Sequence, residues 1–162
     1  MHLHQAAKLR TCPSPEDLVM QRKGNARWQG TTQEGSGTLS VQSGTLQDTP
    51  YSFKARFGDG KGTNPEELIA AAHAGCFTMA LSFGLNNAGF TATAIETEAQ
   101  LTMDPVDGKP TIKAIHLVTR AQVPGISAQQ FSEIASGAKV NCVVSRALSP
   151  SITVTMNATL AS

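Results

Sequence analysis

Three cysteines, Cys12, Cys76 and Cys142, are the side chains in this sequence best suited to covalent chemistry. A thiolate is a nucleophile, a metal ligand and a redox centre. His73 stands three residues before Cys76, close to the same face if the segment is helical. The two could form a Cys–His nucleophile pair, but no residue is identifiable to orient the imidazole. They could also supply two metal ligands. A tetrahedral zinc site wants four, and the remaining candidates, Cys142 and His116, match no zinc spacing, so no metal is expected. Cys142 sits beside Asn141, Ser145 and Arg146, close to an expected helix start, where unpaired backbone N–H groups favour a thiolate. Read blandly, Cys76 is a small core residue and His73 a helix-packing or solvent-edge residue. From the residues alone both readings stay open.

The elements that would carry these residues can be read from period and punctuation. Ala26–Gln29 and Gly37–Val41 read as short strands around a turn-rich segment, hence a hairpin. Tyr51, Phe53, Ala55 and Phe57 alternate with Ser52, Lys54 and Arg56, which predicts a strand with Arg56 on its polar face. Asn64 to about Asn87 reads as a long helix. Asn64 is its N-cap, Pro65 its first residue, Glu67 the residue that reaches back to the cap backbone, and Gly89 its stop. Leu68, Ala72, Gly75, Met79 and Phe83 fall at helical spacing, and the small residues among them would let another backbone approach closely.

Ile95 to Met103 and Ile115 to Val123 read as two strands joined across an Asp107-Gly108 turn. Ser127 starts a second helix with Gln130 at the capping-box position and Ile126 and Phe131 at the staple positions. A short turn or helix surrounds Cys142 to Leu148, and Ile152 to Leu160 is a last alternating strand. The order β-β-β-α-β-β-α-β describes an α+β domain.

Composition narrows the function. The chain has 162 residues, enough for one domain, with 40% apolar and 15% charged residues. Lys and Arg number 13 against 12 Asp and Glu, a net charge of +1, which argues against a nucleic-acid or anionic-membrane partner. No uninterrupted apolar run approaches the ~20 residues of a membrane span, and the first residues lack the apolar region of a secretory signal. An odd, small cysteine count does not suggest a secreted disulfide framework and suits a cytoplasmic protein. Residues 1–19, with Cys12 as a free thiol, read as a leader or extension, and 20–162 as the domain.

The stretch Thr63-Asn64-Pro65-Glu66-Glu67-Leu68-Ile69-Ala70-Ala71-Ala72-His73-Ala74-Gly75-Cys76-Phe77 resembles the signature helix of the OsmC/Ohr family of thiol-dependent organic hydroperoxide peroxidases. Arg56-Phe57, Gly62-Thr63, Ala88-Gly89-Phe90-Thr91, Val123-Pro124-Gly125-Ile126 and Asn141-Cys142-Val143-Val144-Ser145 resemble the OsmC branch. The resemblance runs from about Met20 to the C-terminus, and its second cysteine follows the first by 66 residues. Val143 departs from it, since many relatives carry Pro there.

The resemblance implies antiparallel sheets with a long central helix and a second helix, in an intertwined two-fold dimer. It implies Cys76 as the peroxidatic cysteine and Cys142 as the resolving one, with Arg56 and Glu66 as the polar pair that prepares the thiolate. Cys76 would attack the distal oxygen of the hydroperoxide, leaving a sulfenic acid that Cys142 converts to a disulfide. An external dithiol, of lipoyl or another small-thiol type, would restore the enzyme without a bound cofactor.

An ordinary thiol is only about 3% ionised at pH 7. Cys76 lies too deep in its helix to use the helix N-terminus. A cation such as Arg56 is therefore the natural lever, and lowering the pKa by ~2 would take about 2.7 kcal/mol. Glu66 precedes Cys76 by ten residues, roughly 15 Å along a continuous helix. Either the helix breaks or Arg56 and Glu66 come from a second subunit. The second is preferred, with two copies of the small-residue helix packed antiparallel. Phe57, Phe77, Met79, Phe83 and Leu148 are expected walls of an apolar substrate pocket, favouring organic hydroperoxides over H₂O₂. The alternative is a non-catalytic redox sensor or hydrophobic-ligand-binding protein on the same fold.

Overall fold

The computed structural model describes residues 19–161. The expected leader, apart from Val19, and Cys12 lie outside them. Strands β1 (Gly24–Gln29), β2 (Ser36–Val41) and β3 (Thr49–Tyr51) form an antiparallel sheet in that order. A short helix α1 (Phe53–Phe57) leads to the long helix α2 (Pro65–Asn87). Then come β4 (Ala94–Val106), β5 (Lys109–Gln122), α3 (Ala128–Asn141), α4 (Val143–Ala147) and β6 (Thr153–Ala161). β4 and β5 form a hairpin, while β6 returns beside β5 in parallel after the α3–α4 crossover. The second sheet is therefore mixed, not antiparallel throughout. A parallel return needs such a crossover, and these two helices supply it.

The stretch read as a strand over Tyr51–Phe57 is the main departure from the sequence reading. Only Tyr51 is in a strand. Ser52 turns the chain by accepting a hydrogen bond from the Ala55 N–H (3.0 Å), and α1 follows. Phe53 and Phe57 then stack at i, i+4, with ring centroids 4.7 Å apart. The same aromatics satisfy both a period of two and a one-turn helix, and the serine cap decides between them. Arg56 thus projects from a helix, not from a strand face.

α2 is continuous. Asn64 caps it through the Glu67 N–H (2.8 Å). The Glu67 carboxylate accepts from the Thr63 hydroxyl (2.7 Å) and the Asn64 amide (3.3 Å), in place of the backbone N–H expected. At the far end Gly89 is left-handed (φ 85°), its N–H meets the Asn86 carbonyl, and the Phe90 N–H reaches the Leu85 carbonyl at 2.9 Å. These are the paired bonds of a Schellman stop. The β4–β5 turn places Asp107 and Gly108 both at positive φ (50° and 74°), as a two-residue hairpin requires. Ser127 and Gln130 form the expected capping box of α3.

Two helices cover one face of the second sheet. Phe77, Leu81 and Leu85 of α2 meet Phe131, Ala135 and Ala138 of α3 over Ile115, Leu117 and Ala121 of β5. The buried face of α2 is His73, Phe77, Leu81, Leu85. The line read from spacing, Ala72, Gly75, Met79 and Phe83, is its uncovered face, with Met79 75% and Phe83 69% exposed. α2 is long and apolar enough to cross a membrane (mean hydropathy 1.6), yet only 22% of that stretch is buried within the protomer. A chain of hydroxyls pins α2 on the sheet: Thr78 donates to Thr97 (2.8 Å), and Thr97 pairs with Thr119 (2.9 Å), which donates to the Glu96 carbonyl.

Leu81 is fully buried at the centre of the helix–sheet interface. Leu81→Ala is expected to lower stability by about 2–5 kcal/mol, read as a drop in the urea midpoint at fixed protein concentration.

Candidate active site

Cys76 and Cys142 meet beside α2. Cys76 is half-buried on the third turn of that helix, and Cys142 is 1% exposed at the junction where α3 ends and α4 begins. The two line one groove, close enough for each to shift the other's ionisation, and both thiols are free. The backbone creates this meeting. The Cys142 N–H closes α3 on the Ala138 carbonyl (2.9 Å), and its own carbonyl starts α4 by accepting from the Arg146 N–H (3.0 Å). Cys142 is thereby the C-cap of one helix and the N-cap of the next. Val143 begins α4, a position that also suits the Pro of relatives.

The surroundings push the two thiols apart. Burial raises the Cys76 thiol, and its hydrogen bond to Cys142 raises it further, against weaker opposition from the Val144 and Val143 amides. Burial also opposes ionisation of Cys142. It is outweighed by the Ser145 N–H, the bond from Cys76, the Ser145 hydroxyl and the Val144 N–H, so Cys142 falls. Within one protomer Cys142 is therefore the more acidic thiol of the two.

Arg56 and Glu66 form a second centre. The Arg56 guanidinium clasps the Glu66 carboxylate through Nε (2.9 and 3.1 Å) and Nη2 (2.5 Å). α1 is held against the start of α2 by Asn64, whose amide donates to the Ala55 carbonyl (3.4 Å), and by the bridge between Tyr51 and Thr63. The guanidinium lies 5.0 Å from the centre of the Phe57 ring. Beside it is a pocket of about 230 Å³ walled by Trp28, Tyr51, Phe53, Phe57 and Pro65. Gly37 lets Trp28 and Tyr51 close this wall, because a Cβ there would stand 2.4 Å from the Tyr51 ring.

α2 does not break between the two centres. Glu66 and Cys76 are thus roughly 15 Å apart along one helix, and the structure does not bring them together within a chain. Of the expected walls, Met79 and Phe83 line an open groove of about 1130 Å³ with Cys76 and Cys142. Phe57 stands with Arg56, Leu148 packs against the core, and Phe77 lies in the core with no exposure, away from the groove.

One contact was missed. His73 is wholly buried, and its Nε2 lies 2.8 Å from the Ser145 hydroxyl. The signal was present: His73 is three residues before one cysteine and Ser145 three after the other. No group of three or more His, Cys, Asp or Glu side chains is placed to hold a metal among the described residues.

An α+β domain whose long helix presents one cysteine to a second at a helix junction defines a class of dithiol proteins. Residues 58–157 match the family model described as OsmC-like protein. The chain is 48% identical over 136 residues to Peroxiredoxin OsmC of Escherichia coli K12, covering 84% of this chain and 95% of that one. Among solved structures it resembles the organic hydroperoxide resistance protein OhrB of Bacillus subtilis, with TM-score 0.66 and 26% identity over 86% of this chain and 98% of that one. An OsmC-like protein of Mycoplasma pneumoniae shares the fold, with TM-score 0.70 at 15% identity over 90% and 100% of the two chains. The chain belongs to the OsmC-like family.

Burial holds the His73 pKa below its ordinary 6.5. Below that value the unfolded chain binds a proton that the native imidazole refuses, so stability falls as pH drops from about 6.5 toward the folded pKa. The expected slope is at most about 1.4 kcal/mol per pH unit, and His73→Gln should remove this component in urea titrations at pH 5 and 7.

Proposed function

We propose that this chain is a thiol-dependent peroxidase that reduces organic hydroperoxides, in oxidative or osmotic stress defence, through Cys76 and Cys142. The observation that carries this reading is the pair of free cysteines lining one apolar groove, in a chain 48% identical to a protein named a peroxiredoxin. The Cys76 thiolate attacks the distal oxygen of ROOH; the O–O bond breaks, the alkoxide leaves and takes a proton as ROH, and Cys76 becomes a sulfenic acid. Cys142 then displaces hydroxide from that sulfur, giving the disulfide and, with a proton, water. A dithiol of lipoyl or related type reduces the disulfide by exchange. The cysteines and the external dithiol suffice for this cycle, so no bound cofactor is proposed. A reducing compartment such as the cytoplasm suits thiols cycled in this way.

The working unit is a homodimer in which Arg56 and Glu66 of one chain serve Cys76 of the other. Three features support it. α2 is unbroken, so the pair cannot reach Cys76 in its own chain. The uncovered face of α2 carries Ala72, Gly75, Met79 and Phe83, and a Cβ added at Gly75 would meet nothing within 4 Å in the protomer. Cys76 is raised rather than lowered in a single chain, so it lacks the cation its role needs. Docking would bring the aromatic pocket beside Arg56 against the groove beside Cys76. The resulting apolar walls favour alkyl or aryl hydroperoxides over H₂O₂, whose lack of an R group leaves nothing to bury. Covering α2 in this way also accounts for its apolar composition without a membrane. Spanning a bilayer would pull Phe77, Leu81 and Leu85 out of the core.

With excess dithiol, wild type is expected to consume many equivalents of cumene hydroperoxide, faster than H₂O₂, and Cys76→Ser none. Turnover that survives Cys76→Ser overturns the reading, and arrest after one equivalent favours the redox sensor.

The sharing of sites between chains has its own assay. Cys76→Ser and Arg56→Met chains, each nearly inactive, should regain roughly a quarter of wild-type activity when co-refolded in equal amounts, since half the dimers then hold one intact site of two. No recovery would place Arg56 and Cys76 in one chain.

A further inference from the structure

We propose that His73 and Ser145 form a positioning pair that holds Cys142 as the attacking thiolate, with His73 Nε2–H donating to Ser145 Oγ and the Ser145 hydroxyl donating to Cys142 Sγ. The proposal rests on the peroxidase reading for its role in the cycle, though not for its geometry. His73 Nε2 and Ser145 Oγ are 2.8 Å apart, and Ser145 stands near enough to Cys142 to favour its thiolate against the opposing effect of burial. The α4 turn places Ser145 three residues beyond Cys142, and α2 places His73 one turn before Cys76. One helix face thus presents both the sulfur to be attacked and the residue that orients the attacker.

The direction of the chain follows from the other imidazole nitrogen. Nδ1 of His73 is buried with no hydrogen-bond partner. A proton on Nδ1 would be a buried N–H without an acceptor, the rarer and costlier arrangement. The neutral ring therefore carries its proton on Nε2, which donates to Ser145. The serine oxygen is then occupied as an acceptor and its hydrogen is free for sulfur. Burial disfavours the imidazolium, so His73 acts as a fixed donor and not as a base that takes a proton from Cys142. The titratable group beside Cys142 in the groove is Cys76.

In the resolving step the Cys142 thiolate supplies the electron pair of the new S–S bond. The S–O bond of the Cys76 sulfenic acid breaks, and hydroxide leaves and is protonated to water. The Ser145 hydroxyl stabilises the attacking charge and aims the lone pair. It loses its partner as the charge is consumed, so the device sets when Cys142 is ionised and where it points.

Two measurements test this on the full chain. In a Cys12→Ser, Cys76→Ser background, thiolate absorbance against pH reads Cys142 directly and needs no peroxide. Ser145→Ala and His73→Leu are expected to raise the midpoint by roughly one pH unit, and His73→Gln, which keeps a donor at the same place, to restore it. In single turnover with cumene hydroperoxide, Ser145→Ala should release alcohol at the wild-type rate but form the Cys76–Cys142 disulfide roughly tenfold more slowly. An unchanged midpoint in Ser145→Ala overturns the proposal. A midpoint that His73→Gln fails to restore overturns the donor assignment and leaves His73 as a base. Failure of wild type to release alcohol overturns the peroxidase reading alone, since the titration stands without it.

Discussion

One uninterrupted helix sets the terms for the rest of the structure. From Pro65 to Asn87 α2 is one continuous helix with no proline beyond its first residue, so everything attached to its first turn is held at a fixed distance from everything around Cys76. Arg56 reaches only that first turn, through Glu66. Cys76 and the groove lie further on, on a face the protomer leaves bare. A rigid rod can separate two halves of a reaction centre but cannot reunite them within one chain. Two antiparallel rods can, because the first turn of each then passes the third turn of the other. The small side chains of Ala72 and Gly75 are what such an approach requires, and in a lone protomer they pack against nothing.

The electrostatics follow the same division. Cys142 is supplied with donors by its own chain: the first turn of α4, Ser145 and Cys76 itself. Cys76 is supplied with desolvation and a donor's duty toward Cys142. A single protomer therefore makes Cys142, the second attacker in the proposed cycle, the more acidic of the two. In the proposed dimer a cation would reach Cys76, since Arg56 is a permanent charge already oriented by a bidentate carboxylate. Its attraction would favour the thiolate at Cys76, the sulfur that attacks first.

Much of this was legible in the sequence because the relevant signals are local. Asn64-Pro65 and Gly89 bound α2, Ser127 and Gln130 open α3, and Asp107-Gly108 turns the β4–β5 hairpin, each through contacts within a few residues. The failures were non-local or ambiguous. Phe53 and Phe57 fit two periods at once, and only the Ser52 cap separates them. β6 alternates whichever way it runs, so its parallel pairing depends on where the crossover returns it. The stripe Ala72, Gly75, Met79, Phe83 was found, but spacing cannot say which apolar face of a helix turns inward. Phe77, taken for a pocket wall, belongs to the face that did. The contact of His73 with Ser145 was overlooked because they are 72 residues apart and each has an ordinary explanation alone.

In the proposed dimer, assembly and chemistry become one event. The groove that exposes Met79, Phe83 and Val143 beside the cysteines is apolar surface that water would solvate poorly. Covering it stabilises the pair of chains, excludes water from the sulfurs and delivers the guanidinium, all by the same motion. Exclusion of water strengthens the attraction between Arg56 and a Cys76 thiolate, because screening falls with the local dielectric. A lone chain would have neither the cation nor the dry site. The reactive thiolate would then exist only where a hydrophobic substrate can also be bound, and a soluble protomer would carry its more acidic sulfur buried at Cys142, out of reach of indiscriminate oxidants.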